Sequence, residues 1–177
     1  MRNMNALFFC VWVVILMSLI GCTANHALHI ADNVFLSRAE QTLDSLYTYY
    51  GVKGTCLLRE NYPPEVDYST VGLHPETFSN LPRPYSSLWP YSGTFSSVCA
   101  LLEATRDIRY ADMLECRVLP GLYEYYDKSR MPGGYASYIQ EVPNAERFYD
   151  DNIWLGIHFM EAYCFTKKKE YLQEALH

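Results

Sequence analysis

The stretch Asp150-Asp151-Asn152-Ile153-Trp154-Leu155-Gly156-Ile157-His158-Phe159 runs from two aspartates and an asparagine, residues that favour a helix start, straight into a largely apolar segment. A helix begins there. Just before it, from about Asp127 to Tyr149, lies a loop containing proline and glycine that carries Tyr135, Tyr138 and Tyr149. Further back, Asp107 can cap a helix reaching about Tyr126, with Met113, Leu114, Val118, Leu122 and Tyr125 on one side and a kink at Pro120-Gly121. Thr94 to Thr105, entered through Ser92-Gly93, is apolar almost all round and predicts a helix buried on most sides. Upstream of it, Pro63, Pro64, Pro75, Pro82, Pro84 and Pro90 mingle with Tyr62, Tyr68, Tyr85, Trp89 and Tyr91 in a second long loop. Ala31 to Tyr50 has the three-to-four spacing of another helix, with Gly51 suited to its end. Downstream, Lys168 to Ala175 opens a fifth helix, whose apolar face has no partner before His177.

The alternation of link lengths predicts an arrangement. Short helix-helix links favour antiparallel neighbours. The two tight links then lie at one end of the stack and the two aromatic loops at the other. The second and fourth helices become inner, and the first, third and fifth outer. This is the start of an all-α toroid. Long loops in a compact domain are commonly functional, and their aromatic content argues against disorder.

The N-terminus has its own signature. Arg2 precedes an apolar run from Leu7 to Ile20, too short to cross a bilayer and suited to a signal-peptide core. It ends in Leu19-Ile20-Gly21-Cys22, which resembles a bacterial lipobox. The expected domains are a leader over 1–21, a short linker over 22–30 after lipidated Cys22, and a helical domain over 31–177. The expected product is exported and lipid-anchored to a bacterial membrane, the outer one. Residues Thr23 to Ala27 lack an acidic cluster, which slightly favours a periplasmic face over the cell surface. An ordinary secretory leader cleaved near Ala24 is the alternative.

The whole chain carries 20 acidic and 14 basic residues for a net charge of −6. Loss of residues 1–21 removes only Arg2, for a net of about −7, and Lys167-Lys168-Lys169 is the largest basic cluster. This argues against nucleic acid as a partner. Cys56, Cys99, Cys116 and Cys164 lie far apart without metal-ligand spacing, so no metal and no cofactor is expected. Cys99, Cys116 and Cys164 sit among apolar residues and read as free thiols of the kind that pack as small hydrophobes.

Adjacent aspartates at a helix start also serve simply as capping and first-turn acids. In a partly closed cleft, however, two neighbouring carboxyls cannot both ionise cheaply, and their pKa values are driven apart. Retaining glycoside hydrolysis needs that division, one carboxylate attacking and one carboxyl giving a proton, at about 5–5.5 Å. Sugars also need flat apolar platforms, which 16 tyrosines and three tryptophans can supply. Trp89, Tyr91, Tyr135, Tyr138 and Trp154 are the candidates.

Three stretches, Leu88-Trp89-Pro90-Tyr91-Ser92-Gly93-Thr94-Phe95-Ser96, Tyr135-Ala136-Ser137-Tyr138 and Arg147-Phe148-Tyr149-Asp150-Asp151-Asn152-Ile153-Trp154-Leu155-Gly156, resemble glycoside hydrolase family 76. The resemblance runs from about Phe35 to Ala175 and looks closest to members from gut Bacteroidetes. It implies an (α/α)6 toroid, of which this chain supplies about the first five helices, and retaining cleavage within α-1,6-mannan. By the same resemblance Asp150 corresponds to the nucleophile and Asp151 to the acid/base. Arg147, Tyr149 and Asn152 support the pair, and Glu60 lies in a loop at the cleft. His158 stands where an acidic residue is expected.

Two closed rings of six helices need roughly twice this length. The chain by itself is therefore expected to leave an apolar flank open and to hydrolyse little or no mannan. Two other readings compete: a non-catalytic glycan-binding lipoprotein, and another (α/α)6 enzyme such as an epimerase or unsaturated-uronide hydrolase.

Overall fold

The computed structural model describes residues 34–64, 84–140 and 144–177. The expected leader, the expected lipidation site Cys22 and the expected linker to residue 30 lie outside them, as does the expected first turn from Ala31. Residues 34–50 form α1. The part up to Gln41 belongs to one compact unit and the remainder to the unit Thr42–His177. Within that second unit Leu43 and Tyr47, one turn apart, are buried, and the Arg117 guanidinium lies 3.6 Å from the Tyr47 ring centre.

The next helix, α2, spans Leu88–Thr105 and so starts six residues before the expected Thr94. Pro90 explains the difference. It occupies the third helical position, where no i−4 carbonyl awaits its missing N–H. Ser92 and Thr94 then turn their hydroxyls back onto the Trp89 and Tyr91 carbonyls. Trp89 and Tyr91 consequently sit on a helix, not in a loop.

The third helix, α3, is a continuous run of Ile108–Met113, a π-helical turn at Leu114–Val118, and Leu119–Tyr123. Asp107 caps it as expected, accepting from the Arg109 N–H at 2.9 Å. The expected disturbance at Pro120 takes the form of that wider turn. Pro120 has no N–H to offer one turn back, and the Cys56 thiol faces the Cys116 carbonyl at 3.8 Å. Gly121 is required by a close approach: a Cβ there would collide with the Tyr91 hydroxyl and the Cys56 carbonyl.

The loop after α3 contains a small antiparallel ribbon, β1 (Tyr126–Asp127) against β2 (Gly134–Tyr135), with Tyr126 opposite Tyr135. Two-residue strands leave too little alternation to read from sequence. The last helices are α4, Tyr149–Thr166, and α5, Lys169–Leu176.

The two 18-residue helices, α2 and α4, run parallel. Trp89 meets Trp154 near their starts, Phe95 meets Phe159 edge-on at 5.0 Å, and the Arg106 guanidinium covers the Phe165 ring near their ends. A shift of 61 residues carries Leu88 onto Tyr149 and Thr105 onto Thr166. Their exits match in detail. Thr105 and Thr166 each donate a hydroxyl to the carbonyl four residues back at 2.7 Å. Each hydroxyl then accepts the N–H two residues on, from Asp107 or Lys168. Between them Arg106 and Lys167 adopt the left-handed conformation at φ 57° and 59°, and Tyr110 and Tyr171, five residues beyond the threonines, are both buried. The structure thus holds two copies of one unit, a long helix, a threonine-clasped turn, and a tyrosine-anchored second helix. The second copy is tied to α3, where Glu115 pairs with Lys168 and accepts from the Tyr171 hydroxyl.

All four cysteines among the described residues are free thiols. Cys99 is buried as expected, whereas Cys116 and Cys164 are exposed, on helix faces turned from the core. On α4, Ile153, Ile157 and Met160 form an exposed apolar line at helical spacing.

Candidate active site at the start of α4

The first turn of α4 carries Asp150 and Asp151. Its cap, Phe148, is extended and offers no side-chain oxygen, so the free N–H groups of this helix end have no local anion except the two aspartates. Asp150 is exposed and Asp151 is only 7 % exposed. Burial, reinforced by the neighbouring Asp150 charge, pushes the Asp151 carboxyl up to about 6. The proton therefore stays on Asp151 at a pH where an ordinary carboxyl has lost it. One helix turn thus sets a buried carboxyl beside an exposed one.

Trp154 lies one turn beyond Asp150 and is half exposed, with its ring edge-on to the half-exposed Trp89 ring at 6.3 Å. Two indoles from different helices thus border the pair. Beneath Trp154 the buried His158 ring stacks at 28° and 6.0 Å, and its Nδ1 stands 3.1 Å from the Glu161 carboxylate. The acidic group expected at His158 is supplied one turn later.

The other expected residues divide by placement. Tyr149 is 90 % exposed beside the pair. Asn152 faces the hairpin: its Oδ1 accepts the Tyr135 N–H at 2.8 Å, and its Nδ2 donates to the Tyr135 and Phe148 carbonyls at 2.9 and 2.8 Å. Arg147 donates to the Asp127 carboxylate and to the carbonyls of Asp127, Arg130 and Pro132. Both residues fasten the pair's helix to the preceding loop.

Tyr91, Tyr135 and Tyr138 are core residues, since helix α2 and the ribbon turn them inward. The Tyr91 hydroxyl stands 3.0 Å from the Cys56 and Val118 carbonyls, and the Tyr138 hydroxyl accepts the Tyr85 N–H at 3.3 Å. None of the three offers a face to a ligand at the surface. Glu60 reaches α2 instead of the pair, its Oε2 accepting the Ser87 N–H at 2.9 Å.

Sequence reasoning missed Asp127. Its buried carboxylate accepts from the Ser129 N–H and hydroxyl at 2.8 and 2.6 Å, and from Arg130 and Arg147. Hydrogen bonds from Ser129 first, then from the two arginines, hold it well below the usual carboxylate range. The Asp-x-Ser spacing of a side-chain-bonded turn was the available signal. Among the described residues no group of three or more His, Cys, Asp or Glu side chains could hold a metal ion.

No family model and no curated protein matches the sequence. Solved structures do. The fold matches a glycoside hydrolase family 76 mannosidase from Bacteroides thetaiotaomicron VPI-5482, with a TM-score of 0.61 and 27 % identity over 79 % of this chain. It also matches a family 76 glycoside hydrolase from a bovine Bacteroides thetaiotaomicron strain, with a TM-score of 0.59 and 26 % identity over 79 % of this chain. The chain spans 35 % and 27 % of those two proteins' lengths. The all-α fold is thus that of part of a family 76 helical toroid, as the sequence resemblance implied.

Proposed function

We propose that Asp150 and Asp151 are the nucleophile and acid/base of a retaining glycosidase acting on α-1,6-linked mannan. The observation that carries this reading is a buried Asp151 directly beside an exposed Asp150 at a helix start whose cap supplies no side-chain bond. The family 76 likeness supports the reaction class.

In the first step an Asp150 oxygen attacks the anomeric carbon as the glycosidic C–O bond breaks, and Asp151 gives its proton to the departing oxygen. In the second, Asp151, now a carboxylate, takes a proton from water whose oxygen attacks the same carbon and releases Asp150. Two inversions retain configuration. Trp89 and Trp154 offer the apolar surfaces on which a sugar's C–H face can lie. Lipid anchoring at Cys22, after removal of residues 1–21, would hold the domain on the membrane of an exporting bacterium.

The test is mannan hydrolysis by the full-length product of the gene encoding this chain, with Asp150→Asn and Asp151→Asn beside it. Loss of hydrolysis in both with binding retained is expected, together with an α-configured first product by NMR. Unchanged hydrolysis in either variant overturns the assigned roles. The exposed indole pair alone also fits a non-catalytic glycan binder, which would bind mannan equally in all three proteins and cleave it in none.

A further inference from the structure

The hairpin loop between β1 and β2 grips the aspartate-bearing turn from both sides. Ahead of the turn, Arg130 pairs with Asp127 at 2.8 Å and donates to the Ala145 carbonyl at 2.6 Å. Arg147, three residues before Asp150, pairs with the same Asp127 oxygen at 2.8 Å and donates to three loop carbonyls. Behind the pair, Asn152 exchanges two hydrogen bonds with the Tyr135 backbone. One buried carboxylate therefore joins both arginines, and the loop it closes ends in the strand that holds Asn152.

We propose that Asp127 is a positioning residue for the pair, acting through Arg130 and Arg147 to hold the first turn of α4 in the pose that buries Asp151. The catalytic consequence rests on the roles proposed above; the mechanical one does not. Removing the Asp127 charge leaves two guanidinium groups without their shared anion, one of them largely buried. The segment Ala145–Phe148 then loses the anion that ties its arginine to Arg130. What it keeps are bonds to neutral carbonyls, from the Ser137 N–H to Glu146, from Asn152 to Phe148 and from Arg147 to the loop, so the first turn of α4 loosens. Asp151 gains water and titrates as an ordinary carboxyl does.

The experiment follows the Asp151 side-chain carboxyl by 13C NMR across pH in the chain and in Asp127→Asn, Arg147→Lys and Ser129→Ala. Circular dichroism on the same samples reports folding. Arg147→Lys keeps the charge but cannot bridge the carboxylate and the carbonyls together, so it covers the case in which Asp127→Asn fails to fold. The expected result is a fall of the Asp151 midpoint from about 6 toward the ordinary value near 4 in Asp127→Asn and Arg147→Lys, and no fall in Ser129→Ala. An unchanged midpoint in folded Arg147→Lys overturns the proposal. A fall in midpoint in a protein whose full-length gene product never cleaves mannan leaves Asp127's positioning role standing and removes the glycosidase reading.

Discussion

The starts of α2 and α4 occupy equivalent places in a repeated unit, yet they are finished in opposite ways. Neither cap residue, Ser87 or Phe148, supplies a side-chain bond. At α2 other parts of the chain fill the gap: Glu60 accepts the Ser87 N–H, and the Ser137 carbonyl accepts the Leu88 N–H at 2.9 Å. That turn holds no acid of its own, and the 61-residue shift places Trp89 and Pro90 where α4 has Asp150 and Asp151. At α4 the acids are local, and one of them, Asp151, is buried. A helix end satisfied from outside is settled structure. One that carries its own acids, with one of them buried, raises that acid's hold on its proton.

That contrast can be broken most severely at the pair itself. In the full-length gene product Asp150→Asn should lower kcat/KM for mannan by roughly a thousandfold or more, on the scale of losing a nucleophile. The corresponding change on the α2 side, Glu60→Gln, should alter it far less. Next in size is the clasp. Asp127→Ala should destabilise folding by on the order of 3 kcal/mol, measured by urea unfolding, because it strands buried guanidinium charge.

Asp151→Asn should act in the other direction. A carboxyl whose folded value is raised to about 6 binds its proton more tightly folded than unfolded. Its stabilising share is full below about pH 4 and is lost as pH rises through about 6. Replacing it should therefore raise stability by about 1–2 kcal/mol at pH 8 and leave it nearly unchanged at pH 4, read from unfolding at both values. The smallest effect is expected at α2, where Glu60→Ala should cost about 1 kcal/mol in urea unfolding, the scale of one lost helix-end hydrogen bond.

The same contrast explains what was legible beforehand. Helix identity followed from apolar spacing, and the two aspartates at a helix start were visible as residues that favour such a place. The alternation of short and long links, with neighbouring helices antiparallel, already gives α2 and α4 a common direction. The start of α2 was misplaced because Pro90 reads as a breaker, although in a first turn it breaks nothing. Tyr91, Tyr135 and Tyr138 went to the rim on composition, but their placement is decided by which face of a helix or ribbon meets the core. Asp127 showed only its turn with Ser129, two residues on, because its arginine partners lie three and twenty residues along the chain and no periodic pattern links them.

The matched exits of α2 and α4 have a further consequence. Threonine, a left-handed residue and a core tyrosine fix the turn and the second helix of each unit, leaving the leading turn free of any role in closing the hairpin. The turn that closes the second unit and the candidate aspartate pair thus lie at opposite ends of α4. Changes at the threonine-clasped exit and changes at the aspartate-bearing start therefore act through separate sets of contacts.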